Sequence, residues 1–283
     1  MIVFDTSAIA YGMLYQLGDD VDIGLLRHSI LNKIGFIIRE LAQYKNSTEE
    51  LILACDSRSN WRKELFPPYK AARKKNREDK KGVDWDQFFE DFNTLIEEFT
   101  ANMPFKVLKL DRAEADDIIA IICKHRCDNN ITIVSPDKDF RQLCKLNKNI
   151  KLYSPLAGVG FIDASDYELF EHIIKGDKED GVPNVLSAGN VFVEGVRQTT
   201  LTAKKKQILK DYKFNLDNVP FMDDDIKERI DMNTKLIDLN NIPQDLVDAT
   251  LEQYDNYKVP KGKMFGYFVS KKLTKIMESG LYK

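Results

Sequence analysis

Acidic residues recur at points where a fold could gather them. IVF (2–4) runs into Asp5, LILAC (51–55) into Asp56, and ITIVSP (131–136) into Asp137, with Asp139 two residues on. RAEADD (112–117) adds Glu114, Asp116 and Asp117 at a predicted helix start. KGDKEDGVP (175–183) adds Asp177 and Asp180, whose i, i+3 spacing suits one face of a helical turn. Any one of these acids could be an ordinary helix cap or turn residue. Several at strand ends are harder to explain as caps, because parallel strands present the same end to one cleft. So many carboxylates cannot all ionise together without counter-charge. Oxygen donors with no adjacent His or Cys favour Mg²⁺, with Mn²⁺ as a substitute, over zinc. Two such ions about 4 Å apart can hold the attacking and leaving oxygens of a phosphodiester in line.

A basic segment stands against these acids. From Arg58 to Lys81 the chain carries Arg58, Arg62, Lys63, Lys70, Arg73, Lys74, Lys75, Arg77, Lys80 and Lys81, opposed only by Glu64, Glu78 and Asp79. The net charge of −3 alone argues against a nucleic-acid partner, but the distribution matters more than the sum. A basic segment together with an acidic pocket can attract phosphate and hold cations at once.

The elements that must position these residues follow from periodicity. The runs at 2–4, 51–55, 105–110 and 131–135 have strand length and β-branched content. Helical spacing separates them, from about Ile23 to Tyr44, from Trp85 to Met103, and from Glu114 onward. That alternation predicts an α/β fold with a parallel, doubly wound central sheet. Residues 57–83, with Pro67 and Pro68 and few apolar side chains, read as a partly helical insertion over the strand ends. After about Asp163 helical patterns dominate, at 165–175, 244–257 and 263–279, while 181–203 has no clear period and reads as a loop or irregular turn. The expected division is 1–163, an α/β domain, and 164–283, a smaller helical domain.

At 283 residues, 43% apolar and 31% charged, the chain is globular rather than disordered. No stretch is apolar enough to span a bilayer, MIVFDTSAIA lacks a secretion leader, and the cysteines suit reduced thiols, so cytoplasmic placement is expected. Cys123 and Cys127 lie one helical turn apart, but a zinc site would need two more ligands.

VFDTS, LACDS followed by WRKELFPPYKAARKKN, then AEADD, SPDKDF and KGDKEDGVPNV form a series that resembles the 5′ nuclease family of flap endonucleases and the 5′ nuclease domain of bacterial DNA polymerase, most of all its T-even bacteriophage branch. The resemblance covers nearly the whole chain. It implies a PIN-like nuclease fold that hydrolyses phosphodiester bonds near 5′ ends of RNA or DNA in branched or primer-bearing duplexes, as in removal of lagging-strand primers during phage DNA replication. By it, Asp56, Glu114, Asp116 and Asp137 hold the first of two Mg²⁺ ions, with Asp5 close by. Asp139, Asp177 and Asp180 place the second, and Asp117 is a ligand or a support. Arg62, Tyr69, Lys70 and Arg73 become arch residues that meet the scissile phosphate or the threaded strand, while Lys74 is a nucleic-acid-binding candidate through electrostatic steering. Lys70 and Arg73 act on the scissile phosphate, and Tyr69 offers a ring for a base to stack on. Arg197, Lys204 and Lys205 are candidates for duplex backbone contact. NVLSAGNVFVEGVRQTT lacks the regular glycine spacing of the family's helix–turn–helix, and Gly181 stands where Asn is usual. A single-strand DNA-binding protein and a sliding clamp are the implied protein partners of a monomer in the host bacterial cytoplasm. Two rivals remain: a PIN-type single-strand ribonuclease, usually shorter and without the arch, and a non-catalytic, structure-specific DNA-binding protein.

Overall fold

The computed structural model describes residues 1–18, 21–42, 50–73, 83–280 and 282. Lys74, Lys75, Arg77, Lys80 and Lys81 of the basic segment lie outside the described residues. The chain forms two compact units. The first comprises Met1–Arg58, Lys81–Ala164 and Asp245–Lys283; the second comprises Ser59–Lys80 and Ser165–Gln244.

The first unit is built on a six-stranded sheet. Its strands are β1 (Ile2–Asp5), β2 (Leu51–Ala54), β3 (Lys106–Leu108), β4 (Ile131–Val134), β5 (Ile150–Ser154) and β6 (Gly160–Ile162), in the order β3-β2-β1-β4-β5-β6. All pairings are parallel except β5 with β6. The four strands expected from periodicity are present. β5 and β6 were not expected, because a strand that turns Lys151 into solvent and a three-residue edge strand that begins on Gly160 give little pattern. The chain runs from β1 out to β2 and β3, then crosses to β4 on β1's other side. The strand order therefore reverses between β1 and β4, and the carboxyl ends of strands at such a reversal are where sheets of this kind bind ligands.

Helices cover both faces. α1 (Thr6–Leu17), α2 (Ile23–Ala42) and α4 (Trp85–Asn102) bury Ile9, Leu26, Ile30, Ile34, Leu95 and Phe99 with Phe4 and Leu53. By strand alternation Val3, Ile52 and Ile133 point the other way, where α5 (Ala115–His125) packs on β1 and β2 with Ile118, Ile119 and Ile122 buried, and α6 (Arg141–Leu146) packs beside β5.

The C-terminal segment belongs to this unit as well. α10 (Gln244–Asn256), α11 (Met264–Ser270) and α12 (Thr274–Ser279) close the chain. Tyr267, Phe268, Leu273 and Ile276 join the same core as Ile30 and Phe99. The expected cut at 163/164 thus differs from the compact units, because apolar stripes at 263–279 find their partner on α2 and α4. The single helix expected over 263–279 is two helices, broken where Lys272 takes a φ of 56° and Leu273 N–H donates back to Phe268 O at 2.9 Å.

The second unit is helical. α3 (Trp61–Leu65), α7 (Leu169–Lys175), α8 (Ala203–Asp211) and α9 (Asp224–Ile237) surround a core of Tyr69, Ile173, Val182, Leu209, Ile226 and Ile230. α8 and α9 add to the helical pattern read from the sequence. The stretch 181–203 is irregular as expected, and side chains explain why it holds its shape. Asn184 Nδ2 donates to Thr199 O at 3.0 Å while its Oδ1 accepts Leu186 N–H, and Ser187 Oγ accepts Thr199 N–H at 3.0 Å. These bonds stand in for a regular ladder.

Candidate metal centre and nucleic-acid residues

Strand register assembles the first acids. Asp5 pairs with Ala54 and Phe4 with Val134, so Asp5 stands level with the last residue of β2 and just past the end of β4. Asp56 lies two residues beyond β2, and Asp137 three beyond β4. Ser135 links two of them. Its Oγ donates to Asp5 Oδ2 at 2.8 Å and accepts Asp137 N–H at 3.1 Å. The residue-type search passed over Ser135; the run ITIVSPD, with its only hydroxyl between strand and acid, carried the signal. Asp5 Oδ1 caps α1 by accepting Ala8 N–H at 3.0 Å. The cap and the cluster are therefore the same carboxylate.

The electrostatic consequence falls on Asp5, which is 7% exposed. Burial pushes its carboxyl up from 3.8 to about 7, with Asp56 adding to the rise and Asp137 contributing less. The hydrogen bonds from Ala8 and Ser135 oppose it without cancelling it. A carboxyl this displaced marks a place where negative charge is crowded and water excluded.

The acids of RAEADD are placed by the start of α5. Ala115 N–H donates to Asp56 Oδ1 at 2.7 Å, which ties the helix start to the β2 acid. Asp117 is fully buried, and its Oδ2 accepts Glu114 N–H at 3.0 Å in a capping box. That contact supports the start of α5. Glu114 is buried and Asp116 half-buried. Asp139 follows in the turn after β4, where its N–H donates to Asp137 Oδ1 at 2.8 Å. The first unit thus carries Asp5, Asp56, Glu114, Asp116, Asp117, Asp137 and Asp139, while Asp177 and Asp180 belong to the second.

In the second unit the GDKED turn organises its own acids. Gly176 is required there, since a Cβ would stand 2.3 Å from the carbonyls of Val182 and Pro183. Asp177 Oδ1 accepts the N–H groups of Glu179 and Asp180 at 2.8 and 3.1 Å. Its Oδ2 lies 3.5 Å from His172 Nε2, and the other ring nitrogen of His172 lies 3.2 Å from Tyr167 Oη. Burial raises the Asp177 carboxyl, but His172 and the two amides outweigh it and leave it below its ordinary value. Sequence reasoning missed His172; a His five residues before an Asp across a glycine turn gave no spacing motif to find. Asp180 keeps different company. Its carboxylate accepts Tyr69 Oη at 2.8 Å and Arg73 at 2.5 Å, and lies 3.5 Å from Lys70 Nζ.

The structure corrects two of the expected nucleic-acid contacts. Arg62 is 2% exposed, its Nε donates to Leu236 O at 2.9 Å and its guanidinium lies 4.5 Å over Trp61, so it anchors α3 within the unit rather than meeting a strand. Tyr69 is 3% exposed, with its ring among Ile173 and Val182, so no base can stack on it. The sequence could not distinguish these roles because a basic or aromatic residue in a charged run carries no mark of burial.

Comparison with known proteins settles the family. The family model for the resolvase-like N-terminal domain of 5′-3′ exonucleases matches residues 1–172. This chain belongs to the 5′-3′ exonuclease family. A second family model, the C-terminal domain of T4 RNase H, matches residues 163–281 of the exonuclease. Ribonuclease H of enterobacteria phage T4 is 29% identical over 269 residues, covering 92% of this chain and 87% of the phage protein. A 5′-3′ exonuclease of Streptomyces coelicolor is 25% identical over 209 residues, covering 66% and 68%. Among solved structures, the T5 5′-exonuclease with bound zinc matches at a TM-score of 0.65 and 18% identity, over 91% of this chain and 99% of that one. A T5 flap endonuclease complex with DNA and metal ions matches at 0.61 and 17%, over 98% of both chains. These two likenesses establish the fold of the exonuclease: a mostly parallel sheet of the PIN-like type.

The remaining basic candidates of the exonuclease lie around its irregular stretch. Arg197 is exposed and, with Lys175, Lys178 and Lys206, lines a cavity of about 750 Å³. Lys204 is exposed at the start of α8, while Lys205 Nζ lies 5.3 Å over Phe221. Lys206 is paired with Glu171 at 2.8 Å. Three lysines in the first turn of a helix oppose its dipole, a cost that an approaching anion removes. Among the described residues no helix is long and apolar enough to cross a membrane.

Proposed function

We propose that this exonuclease is a Mg²⁺-dependent, two-ion 5′ nuclease that hydrolyses phosphodiester bonds near the 5′ ends of flap or primer-bearing duplexes. Its role would be the removal of RNA primers and adjacent DNA during phage DNA replication in the host cytoplasm. The observation that carries the reading is Asp5, buried between Asp56 and Asp137 with its carboxyl raised to about 7. Such a cluster costs folding free energy that a divalent cation returns.

The donor set fits a hard cation. Asp5, Asp56, Glu114, Asp116 and Asp137 offer oxygen only, which suits Mg²⁺ or Mn²⁺ and disfavours a soft ion. When bound, such ions supply an activated water and neutralise the leaving oxygen. The protein's own residues do the rest. Asp117 fixes the start of α5, and Ser135 fixes Asp5 and the Asp137 backbone. Lys70 and Arg73 neutralise the phosphate as charge develops on it. Arg197 and Lys204 meet the duplex backbone. Asp139, Asp177 and Asp180 stand as the second ion's set by family resemblance, and a single-strand DNA-binding protein and a sliding clamp stand as partners on the same ground.

The test uses an end-labelled 5′-flap duplex and its matched single strand, each with Mg²⁺ and with EDTA. Mg²⁺-dependent release of short 5′ products from the flap, with the single strand spared, is expected. Preferential cutting of free single-stranded RNA would indicate a ribonuclease, and binding without cutting a non-catalytic protein.

A further inference from the structure

One large apolar side chain of the second unit stands almost wholly in water. Phe214 is 93% exposed on the turn that follows α8, and Tyr212, two residues earlier, is 41% exposed. Scattered apolar side chains on a surface are ordinary, but this ring has particular neighbours. Lys213 Nζ lies 4.8 Å from the ring centroid, over one face, and the exposure of the ring leaves the other face to solvent. From Thr202 to Phe214 the chain carries five lysines and one acid, Asp211. That acid accepts Gln207 Nε2 at 2.8 Å. Lys206 and Lys210 are paired with Glu171 at 2.8 and 2.9 Å, whereas Lys204, Lys205 and Lys213 make no ion pair among the described residues.

The turn that carries the ring is held on both sides. Tyr212 N–H donates to Ile208 O at 3.1 Å and closes α8, and Asn215 N–H donates to Tyr212 O at 2.8 Å. Leu209 before the turn and Val219 after it are both buried in the core of the second unit. The ring therefore projects from an ordered support, and little backbone freedom is lost when something binds it. α8 has nine residues, which makes it about 13 Å long. Lys204 and Lys205 lie in its first turn, and Lys213 and Phe214 lie just past its end. Cations thus stand at both ends of a short track, with an open aromatic face at one of them.

From this arrangement we infer that Phe214 is a stacking platform for an unpaired base, and that Lys213, Lys204 and Lys205 hold phosphates of the same single strand. A ring can stack on a base only where the face of the base is open; in a duplex interior the neighbouring pairs cover both faces. The platform therefore selects single-stranded nucleic acid, and the lysines supply the matching charge. A strand of this kind offers an anion and a π-face in every nucleotide, which is the pairing of groups that the turn presents. The inference rests on the nuclease reading for the presence of such a strand: a flap or gap places unpaired nucleotides beside a duplex.

The experiment reads binding in EDTA, without cleavage, by fluorescence anisotropy of two labelled duplexes. One carries a nick, and the other, of the same sequence, carries a dT gap of about ten nucleotides. Phe214→Ala and Phe214→Leu should each weaken the gapped complex by about fivefold or more, while the nicked complex changes less than twofold. Phe214→Trp keeps a ring and should stay within twofold of wild type on both. Because Leu keeps the apolar bulk, gapped-duplex affinity retained by Phe214→Leu would overturn stacking. No loss on the gapped duplex, or an equal loss on both, overturns the inference as well. So does a wild-type dimer in sedimentation that Phe214→Ala dissolves while gapped-duplex binding is unchanged, since the ring would then anchor a second copy of the chain. The ring adds nothing to the core, so each variant should keep the wild-type Tm. Flap cleavage separates the two readings. Mg²⁺-dependent cleavage by wild type, with gapped-duplex binding indifferent to Phe214, sinks this inference alone; binding that depends on Phe214, with no cleavage, sinks the nuclease reading alone.

Discussion

Replacing Asp5 by Asn removes the negative charge from a carboxylate that is 7% exposed and crowded by Asp56 and Asp137. The group's carboxyl stands at about 7 in the fold, against an ordinary 3.8. A folded pKa above the unfolded one contributes stability that is full below pH 3.8 and lost as pH rises through about 7. That interval corresponds to about 4 kcal/mol at pH 8 and to less than half of that at pH 5. Asn retains the oxygen that accepts Ala8 N–H but turns an amide toward Ser135, which costs about 1 kcal/mol. In EDTA, Asp5→Asn should therefore exceed wild type by about 3 kcal/mol at pH 8 and by well under 1 kcal/mol at pH 5. The corresponding gain in Tm is roughly 5–10 °C at pH 8 and about 1–2 °C at pH 5. With saturating Mg²⁺ the order should reverse or close, because the ion binds the wild-type cluster more tightly and stabilises by mass action. Differential scanning fluorimetry from pH 5 to pH 8, with EDTA and with Mg²⁺, reads all four conditions. A Tm difference that stays flat with pH, or a less stable Asp5→Asn in EDTA at pH 8, would refute the crowding on which the metal assignment rests.

Other residues give independent checks. Asp137→Asn should abolish flap cleavage while DNA affinity, measured by fluorescence anisotropy, changes little; unchanged turnover would remove Asp137 from the site. Lys70→Ala with Arg73→Ala should lower kcat and flatten the log–log salt slope of binding by roughly 1.4–1.8, and an unaltered slope would assign both to solvent. Arg62→Ala should destabilise by about 2–4 kcal/mol in urea unfolding, because it strips a buried partner from Leu236 O; weakened DNA binding at wild-type stability would contradict its burial. Glu98 receives Arg27, Lys271 and Tyr267, and although burial raises its carboxyl these partners hold it at about 2. Its folded value is depressed, so its contribution of up to about 3 kcal/mol is present above pH 4.5 and lost as pH falls toward 2. Glu98→Gln should accordingly lower Tm at pH 7 and much less at pH 3; an equal loss at both would exclude the ion pairs as its cause.

What the sequence determined by itself was local. β-branched runs ending in Asp fixed four parallel strands and put Asp5, Asp56 and Asp137 at their carboxyl ends, since strand direction and alternation are written in neighbouring residues. The order AEADD, PDKDF, GDKEDGVP pointed to the family for the same reason. Burial and partnership were decided only by the tertiary structure. Arg62 and Tyr69 look like surface contacts in a basic run, yet their environment comes from α9 and α7, more than a hundred residues away in sequence. Residues 245–283 read as part of a second domain, yet their apolar stripe is buried against α2 and α4. Asp180 and Lys70 are likewise brought into contact only by the fold, across a separation that no periodicity records. Hydrogen bonding and desolvation act between groups close in space, so a residue's type shows what it can do, and its neighbours in the fold select which of those things it does.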